Sequence, residues 1–297
     1  MRRALTRTAA ALAILLGLGD AGLQAFAEKA RQQPPELSAT ELEKIVAAVP
    51  KQAAKPESAR RVLIFWRCEG FFHGSGIAGG NKAFALMGEK TGAFSVDCSD
   101  DYAVFEPANL ARYDAVMLNN TTHLKFPRPE LRQALLDYVR SGKGLIGIHA
   151  ATDNFYDWPE GAKMIGGLFD GHPWGGGGTW AFRLDAPDHI LNRAFGGKGF
   201  KLRDEIYQFK DPYTRDDRRV LLTLDLADPA TGKVTGGVKR ADKDFAVAWI
   251  KTEDKGRVFY CALGHAANVF MDPAVMQFCL DGIQYALGDL QADARRR

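Results

Sequence analysis

The chain carries six histidines. Imidazole is the side chain best suited to move protons near neutral pH and the commonest nitrogen ligand of zinc. Five of the six, His73, His123, His149, His172 and His265, fall at the ends of apolar runs that read as strands or in the loops beyond them. In an open parallel sheet the functional crevice lies outside the carboxyl ends of the strands. These five are therefore expected on one edge, with Asp153, Asp170 and Glu205 as carboxylates for the same edge. No HExxH or other tight ligand spacing occurs, so a metal site would have to be assembled from distant loops.

Gly147-Ile148-His149-Ala150-Ala151 has the layout of a nucleophile elbow, where small neighbours let the backbone bend and expose one side chain. The exposed position holds His149, not Ser or Cys. That argues against an acyl-enzyme mechanism, and so against a protease, an esterase or a glutaminase. His149 is expected to serve as general base, metal ligand or substrate partner, with Thr152 and Asp153 placed to fix its tautomer. The candidate catalytic residues are His149, Asp153, Glu205 and His73. His149, His172 and His265 are the candidate ligands of a divalent ion such as zinc.

Aromatic residues crowd the same loops: Phe71, Phe72, Phe155, Tyr156, Trp158, Trp174, Trp180 and Tyr207. A sugar ring packs its C–H face on such side chains and needs polar groups for its hydroxyls. Trp174, Tyr207, Phe72 and Asn154 are the candidate substrate contacts, and Gly175–Gly178, between two tryptophans, reads as a mobile lid. A sugar-binding module without chemistry would use the same residues. Gly74-Ser75-Gly76-Ile77-Ala78-Gly79 also fits G-x-G-x-x-G, with Asp97 beyond it. That pattern suggests a nicotinamide oxidoreductase. However, Arg67 to His73 intervene between strand and motif, whereas a dinucleotide turn leaves its strand at once. No nucleotide is expected, and the glycines read as a flexible loop entering the first helix. Asp204 and Glu205 could supply a carboxylate, and Arg215 to Arg219 read as a solvated surface loop.

The elements that must position these residues alternate. Apolar runs at 62–66, 94–97, 113–118 and 145–148 read as strands, and 81–90 and 129–140 as helices. Further strands are expected at 180–184, 220–226, 245–250 and 257–263. A last helix is opened by Asp272-Pro273 and closed by Gly288. This predicts an α/β fold, a parallel sheet with helices on both faces. Residues 28–59 read as a linker with a short helix at 40–49, the folded domain starts near Arg60, and 291–297 form a basic tail.

The 297 residues are 46% hydrophobic and 25% charged, with a net charge of +3. That composition is globular. The basic excess sits at the two ends, so the body has no general attraction for nucleic acid or anionic lipid. A small neutral molecule fits better as partner, and nothing in the sequence marks an oligomeric one. Arg2, Arg3 and Arg7, the apolar stretch Ala9–Leu18 and Ala25-Phe26-Ala27 read as an export signal over residues 1–27. The stretch is too short to span a bilayer, so an exported, periplasmic protein is expected. In that compartment a Cys68–Cys98 bridge is open, beside the alternative of buried thiols.

Five ordered motifs carry a resemblance. Phe72-His73-Gly74-Ser75, Gly147 to Asp153, Gly166-Gly167-x-Phe169-x-x-His172-Pro173, Asp204-Glu205-Ile206-Tyr207 and Gly256 to His265 together resemble the ThuA-like, trehalose-utilisation family over residues 60–288. The resemblance implies a flavodoxin-like fold similar to class I glutamine amidotransferases, without their catalytic cysteine. It also implies metabolism of trehalose and related disaccharides through 3-keto-glycosides; hydrolysis or elimination of such a substrate is the reaction expected here. On these motifs His73, His149, Asp153, His172, Glu205 and His265 form the implied site. The family often continues Asp-His with Pro, where this chain has Ile190 after His189.

Overall fold

The computed structural model describes residues 32–55 and 59–295. The expected export signal lies outside them. Among the described residues nine strands form one sheet in the order β2-β1-β3-β4-β11-β10-β9-β6-β7. They are β1 (Arg61–Phe65), β2 (Ser95–Ser99), β3 (Ala115–Asn119), β4 (Gly144–Ile148), β6 (Thr179–Leu184), β7 (Phe200–Arg203), β9 (Arg219–Leu224), β10 (Ala246–Glu253) and β11 (Gly256–Cys261). The strands β2, β1, β3, β4 and β11 are parallel, and the rest continue antiparallel. Two short strands, β5 (Leu168–Phe169) and β8 (Phe209–Lys210), pair separately. The fold is α/β, as expected. The antiparallel wing is the part that a reading of βαβ units alone does not supply.

The inner parallel strands β1, β3 and β4 are short and apolar because both faces are covered, whereas the edge strand β2 carries no buried residue. All five residues of β3 and of β4 are buried. Helices α1 (Ala39–Ala48), α2 (Gly74–Thr91), α3 (Pro129–Arg140), α4 (Pro159–Ile165) and α5 (Pro273–Leu287) cover them. The connection from β1 steps outward to β2, and that from β3 steps the other way to β4. With right-handed crossovers, α2 and α3 then fall on opposite faces. The same reversal opens a crevice between the ends of β1 and β3.

Two expectations need correction here. The helix expected at 40–49 exists, but it is not part of a linker. A Ser38–Glu41 capping box starts it, and Ile45, Ala48 and Val49 are buried in the core. The backbone beyond it is tied down as well, Ala54 N–H donating to Gln284. The compact unit therefore begins at Pro35, not near Arg60. The G-x-G-x-x-G segment, in turn, is the first turns of α2 itself. Its glycines serve close packing: a Cβ at Gly76 would sit 2.5 Å from the Gly264 carbonyl oxygen, and one at Gly79 2.8 Å from Ala267 Cα. Asp97, which a dinucleotide ribose would need, is taken by Arg61 and Tyr113.

The Arg215–Arg219 segment is not a solvated loop either. The Arg218 side chain is fully buried, donates to the Gly166 carbonyl and lies between the Tyr213 and Trp249 rings. Cys68 and Cys98 are free thiols. Cys98 pairs with Ile64 in the β1–β2 register, four residues short of Cys68, too far along the strand for a bridge. Among the described residues no helix is long and apolar enough to cross a membrane.

Replacing Gly76 by Ala should destabilise the protein by about 1–3 kcal/mol, because the added methyl meets backbone and not a yielding side chain. Urea unfolding measures this. An unchanged midpoint would mean that α2 is free to shift off the 262–266 turn.

Candidate metal centre at the strand ends

His73 closes the loop after β1 and is the N-cap of α2. His149 begins the turn after β4, and His265 lies four residues beyond β11. Glu205 comes from the connection between β7 and β8. These four meet: one ligand atom from each lies within 4.8 Å of every other. The edges of the inner triangle are shorter. His149 Nε2 is 3.3 Å from His265 Nδ1, His265 Nδ1 is 3.4 Å from Glu205 Oε1, and His149 Nε2 is 3.7 Å from that oxygen. A triangle of those sides has a centre about 2.0 Å from each corner, the ordinary zinc–nitrogen or zinc–oxygen bond length.

The His149 orientation is fixed from behind. Its Nδ1 is 2.7 Å from the Ala262 carbonyl oxygen, which only accepts, so Nδ1 carries the proton and Nε2 presents its lone pair to the cluster. The expected tautomer partners do other work: Thr152 bonds Tyr260, and Asp153 bonds Tyr156. The elbow reading of this turn does hold in shape. His149 has φ of 46°, in the left-handed region, and a Cβ at Gly147 would meet Ile165 at 2.8 Å. The Tyr260 hydroxyl donates to the His149 carbonyl at 2.7 Å and pins the bend.

The electrostatics separate the four groups. Burial, then the neighbouring His149 and His265, push His73 down to about 3, so it stays neutral. Burial alone would lower His265, but Glu205 and Asp204 raise it above the ordinary value. Burial alone would raise Glu205, but in the ion-free cluster with its imidazoles protonated, His149 and His265 outweigh burial and hold the carboxyl well below the usual range. An ionised Glu205 is suited to ligate a cation beside the imidazoles. Behind the cluster, burial lifts Asp204 to about 6 while it accepts the main-chain N–H groups of Gly264 and His265.

The remaining candidates divide. His172 is not in the inner set. It stands on the outer side, Nδ1 3.4 Å from Glu205 Oε2, with its side chain half exposed. His73 takes the place that the sequence assigned to it. Tyr207 is in the site, its hydroxyl 3.3 Å from His73 Nε2 and its ring 4.5 Å from that of His149. Trp174 is not a substrate contact: it is 1% exposed, donates to the Thr231 carbonyl and packs on Phe245. Asn154 is fully buried and ties Thr121 to Leu124. Phe72 turns toward Pro35 and Gly74, and its neighbour Phe71, 67% exposed, packs edge-on to His73. The Gly175–Gly178 segment is held closely, Gly176 lying against His265 and accepting from Arg203. His189 lies elsewhere, beside Asp293. The supports that the sequence reading missed are Tyr260 and the Ala262 carbonyl. A lone hydroxyl in the buried run Val258–Cys261 was the signal for the first, and a backbone atom leaves none.

A neutral buried His73 makes stability depend on pH. Its folded value is depressed, so the unfolded chain binds the proton first. The stability it contributes is present above about 6.5 and is lost as pH falls toward about 3. The slope approaches about 1.4 kcal/mol per pH unit. In metal-free protein, urea unfolding between pH 7 and 4 should show a steeper decline for wild type than for His73→Gln. Parallel declines would mean that His73 is protonated in the folded state.

The sequence model of the family described as ThuA, trehalose utilisation, matches residues 61–286. The fold is similar to that of a ThuA-like protein from Bacteroides uniformis, with a TM-score of 0.62 at 23% identity over 78% of this chain and 91% of that one. A ThuA-like protein from Parabacteroides merdae gives 0.58 at 18% identity over 81% and 98%. No curated protein matches the chain in sequence. The match spans the sheet, α5 and all four converging side chains, and on it the chain belongs to the ThuA family.

Proposed function

We propose that this chain binds one divalent metal ion through His73, His149, His265 and Glu205 and acts on a disaccharide, glycoside or 3-keto-glycoside by hydrolysis or elimination. The observation that carries the metal is the triangle of His149 Nε2, His265 Nδ1 and Glu205 Oε1 around a point about 2 Å from each, with a tautomer that leaves Nε2 free to ligate. The donor set, imidazoles and one ionised carboxylate, suits zinc or a similar first-row ion. Such an ion supplies a Lewis acid for a carbonyl oxygen and lowers the pKa of a bound water. The 3-keto-glycoside substrate rests on the family's description as trehalose utilisation and on chemistry: a ketone at C3 offers an oxygen to a cation and acidifies the adjacent C–H.

The protein's own groups do the rest. The Ala262 carbonyl and Tyr260 hold His149 against rotation. Asp204 fixes the turn that carries His265. Exposed Phe71 offers an apolar face beside His73 for the C–H side of a sugar ring. Residues 1–27 are read as an export signal, which would place the reaction outside the cytoplasm.

Purified protein should contain about one equivalent of a divalent ion by elemental analysis. His149→Ala and Glu205→Gln should each lower that affinity by 10-fold or more, about 1.4 kcal/mol, while His172→Ala should keep it. Chelation should abolish turnover of trehalose oxidised at C3 and re-addition of the ion should restore it. Metal-free protein with full turnover would sink the assignment, and saturable sugar binding without product would make the chain a binding protein.

A further inference from the structure

His123 and Asp153 form a pair that the metal centre does not use. His123 Nε2 lies 3.4 Å from Asp153 Oδ1, and the Tyr156 hydroxyl donates to the same oxygen. The His123 main-chain N–H also donates to the Asp153 carbonyl at 2.8 Å. A carboxylate acceptor keeps a proton on Nε2, so Nδ1 is the nitrogen left to exchange one. The Asp153 side chain is 11% exposed and that of His123 51%. The carboxylate is nearly buried and the imidazole is half exposed. A buried carboxylate behind an imidazole orients the ring.

The backbone is bent to make this pair. His123 has φ of 51° and Phe155 of 62°, both in the left-handed region, which costs of order 1–3 kcal/mol and concentrates at functional sites. Gly70 makes room for the ring: a Cβ there would sit 2.6 Å from His123 Cδ2. Two chains of contacts lead from the pair toward the metal centre. Gly70, against His123, is three residues from His73, a span of at most about 11 Å. The Tyr156 ring is 5.4 Å from that of His123, and the Tyr156 hydroxyl is 3.5 Å from the carbonyl of Phe169, whose ring packs 4.4 Å from Tyr207.

We propose that His123 is the general acid of this site, giving the Nδ1 proton of its imidazolium form to a departing glycosidic oxygen, with Asp153 and Tyr156 as positioning residues. The proposal rests on the glycoside reading above. In the net hydrolysis the bond between the anomeric carbon and the glycosidic oxygen breaks with its electron pair on that oxygen. The His123 proton forms the new O–H bond. The oxygen of a water bonds to the carbon, and a proton of that water restores His123.

The test compares two 3-keto-glucosides with one sugar and two leaving groups: trehalose oxidised at C3, and the 4-nitrophenyl 3-keto-α-glucoside. A sugar alkoxide needs a proton to depart and a nitrophenolate does not. For His123→Ala, kcat on the disaccharide should fall by about 10²–10⁴ and on the nitrophenyl compound by less than about tenfold, with metal content unchanged. Added imidazole should restore part of the disaccharide rate. Asp153→Asn should show the same leaving-group selectivity to a smaller degree, and it serves as the readout if His123→Ala does not fold. Equal losses on both substrates, or no loss on the disaccharide, would overturn the role of His123 while leaving the glycoside reading intact. Wild-type protein inert on both compounds would overturn the glycoside reading and the general-acid proposal with it.

Discussion

The site depends on one hydrogen bond, from His149 Nδ1 to the Ala262 carbonyl oxygen at 2.7 Å. The bond follows from strand register. In the β4–β11 pair Ile148 lies opposite Cys261, so the first residues past the two strands, His149 and Ala262, leave the sheet side by side. A buried imidazole beside an acceptor must place its proton there. Its other nitrogen then faces His265 and Glu205 as a lone pair. A different register between these two strands would turn the same side chain into an ordinary buried histidine.

Around that bond the structure accepts local cost for fixed geometry. His149, Asn120, His123, Phe126 and Phe155 all take positive φ without being glycine, and all lie in the loops after β3 and β4. Two of them are held by specific hydrogen bonds. Tyr260 clamps the carbonyl of His149, and Asn120 donates to the Gly264 carbonyl. Asp204 adds a buried carboxylate to satisfy two main-chain N–H groups, a costly group to bury unless paired. The apolar sheet beneath, fully covered at β3 and β4, is what keeps these bends from relaxing.

Much of the fold was legible because its signals are local. The Asp272-Pro273 start and Gly288 stop of α5 are written in adjacent residues, and the buried runs of β1, β3 and β4 are continuous. The edge that gathers His73, His149 and His265 was legible too, because strand ends set it. What was not legible is which loop side chains turn inward. His172 and His73 carry the same chemistry, yet one ends half exposed and the other buried, a choice made by how the 170–176 segment pairs with 205–208. Trp174 and Asn154 resemble ligand contacts in one dimension, and both are consumed by packing partners far along the chain, Phe245 and Thr121. The glycines at 74–80 misled for a related reason. A residue without a side chain reports close approach but not what approaches, and here it is the 264–267 backbone and Asn119.

The origin of Glu205 has a mechanical consequence. His73, His149 and His265 hang from the parallel strands, whereas Glu205 hangs from the outer wing, between β7 and β8. An ion held by all four would act as a rivet across the boundary between those two halves. Its free energy of binding would add to whatever keeps the wing seated, so loading should be felt as slower amide exchange in β6 and β7, at the sheet's far margin, where no ligand resides.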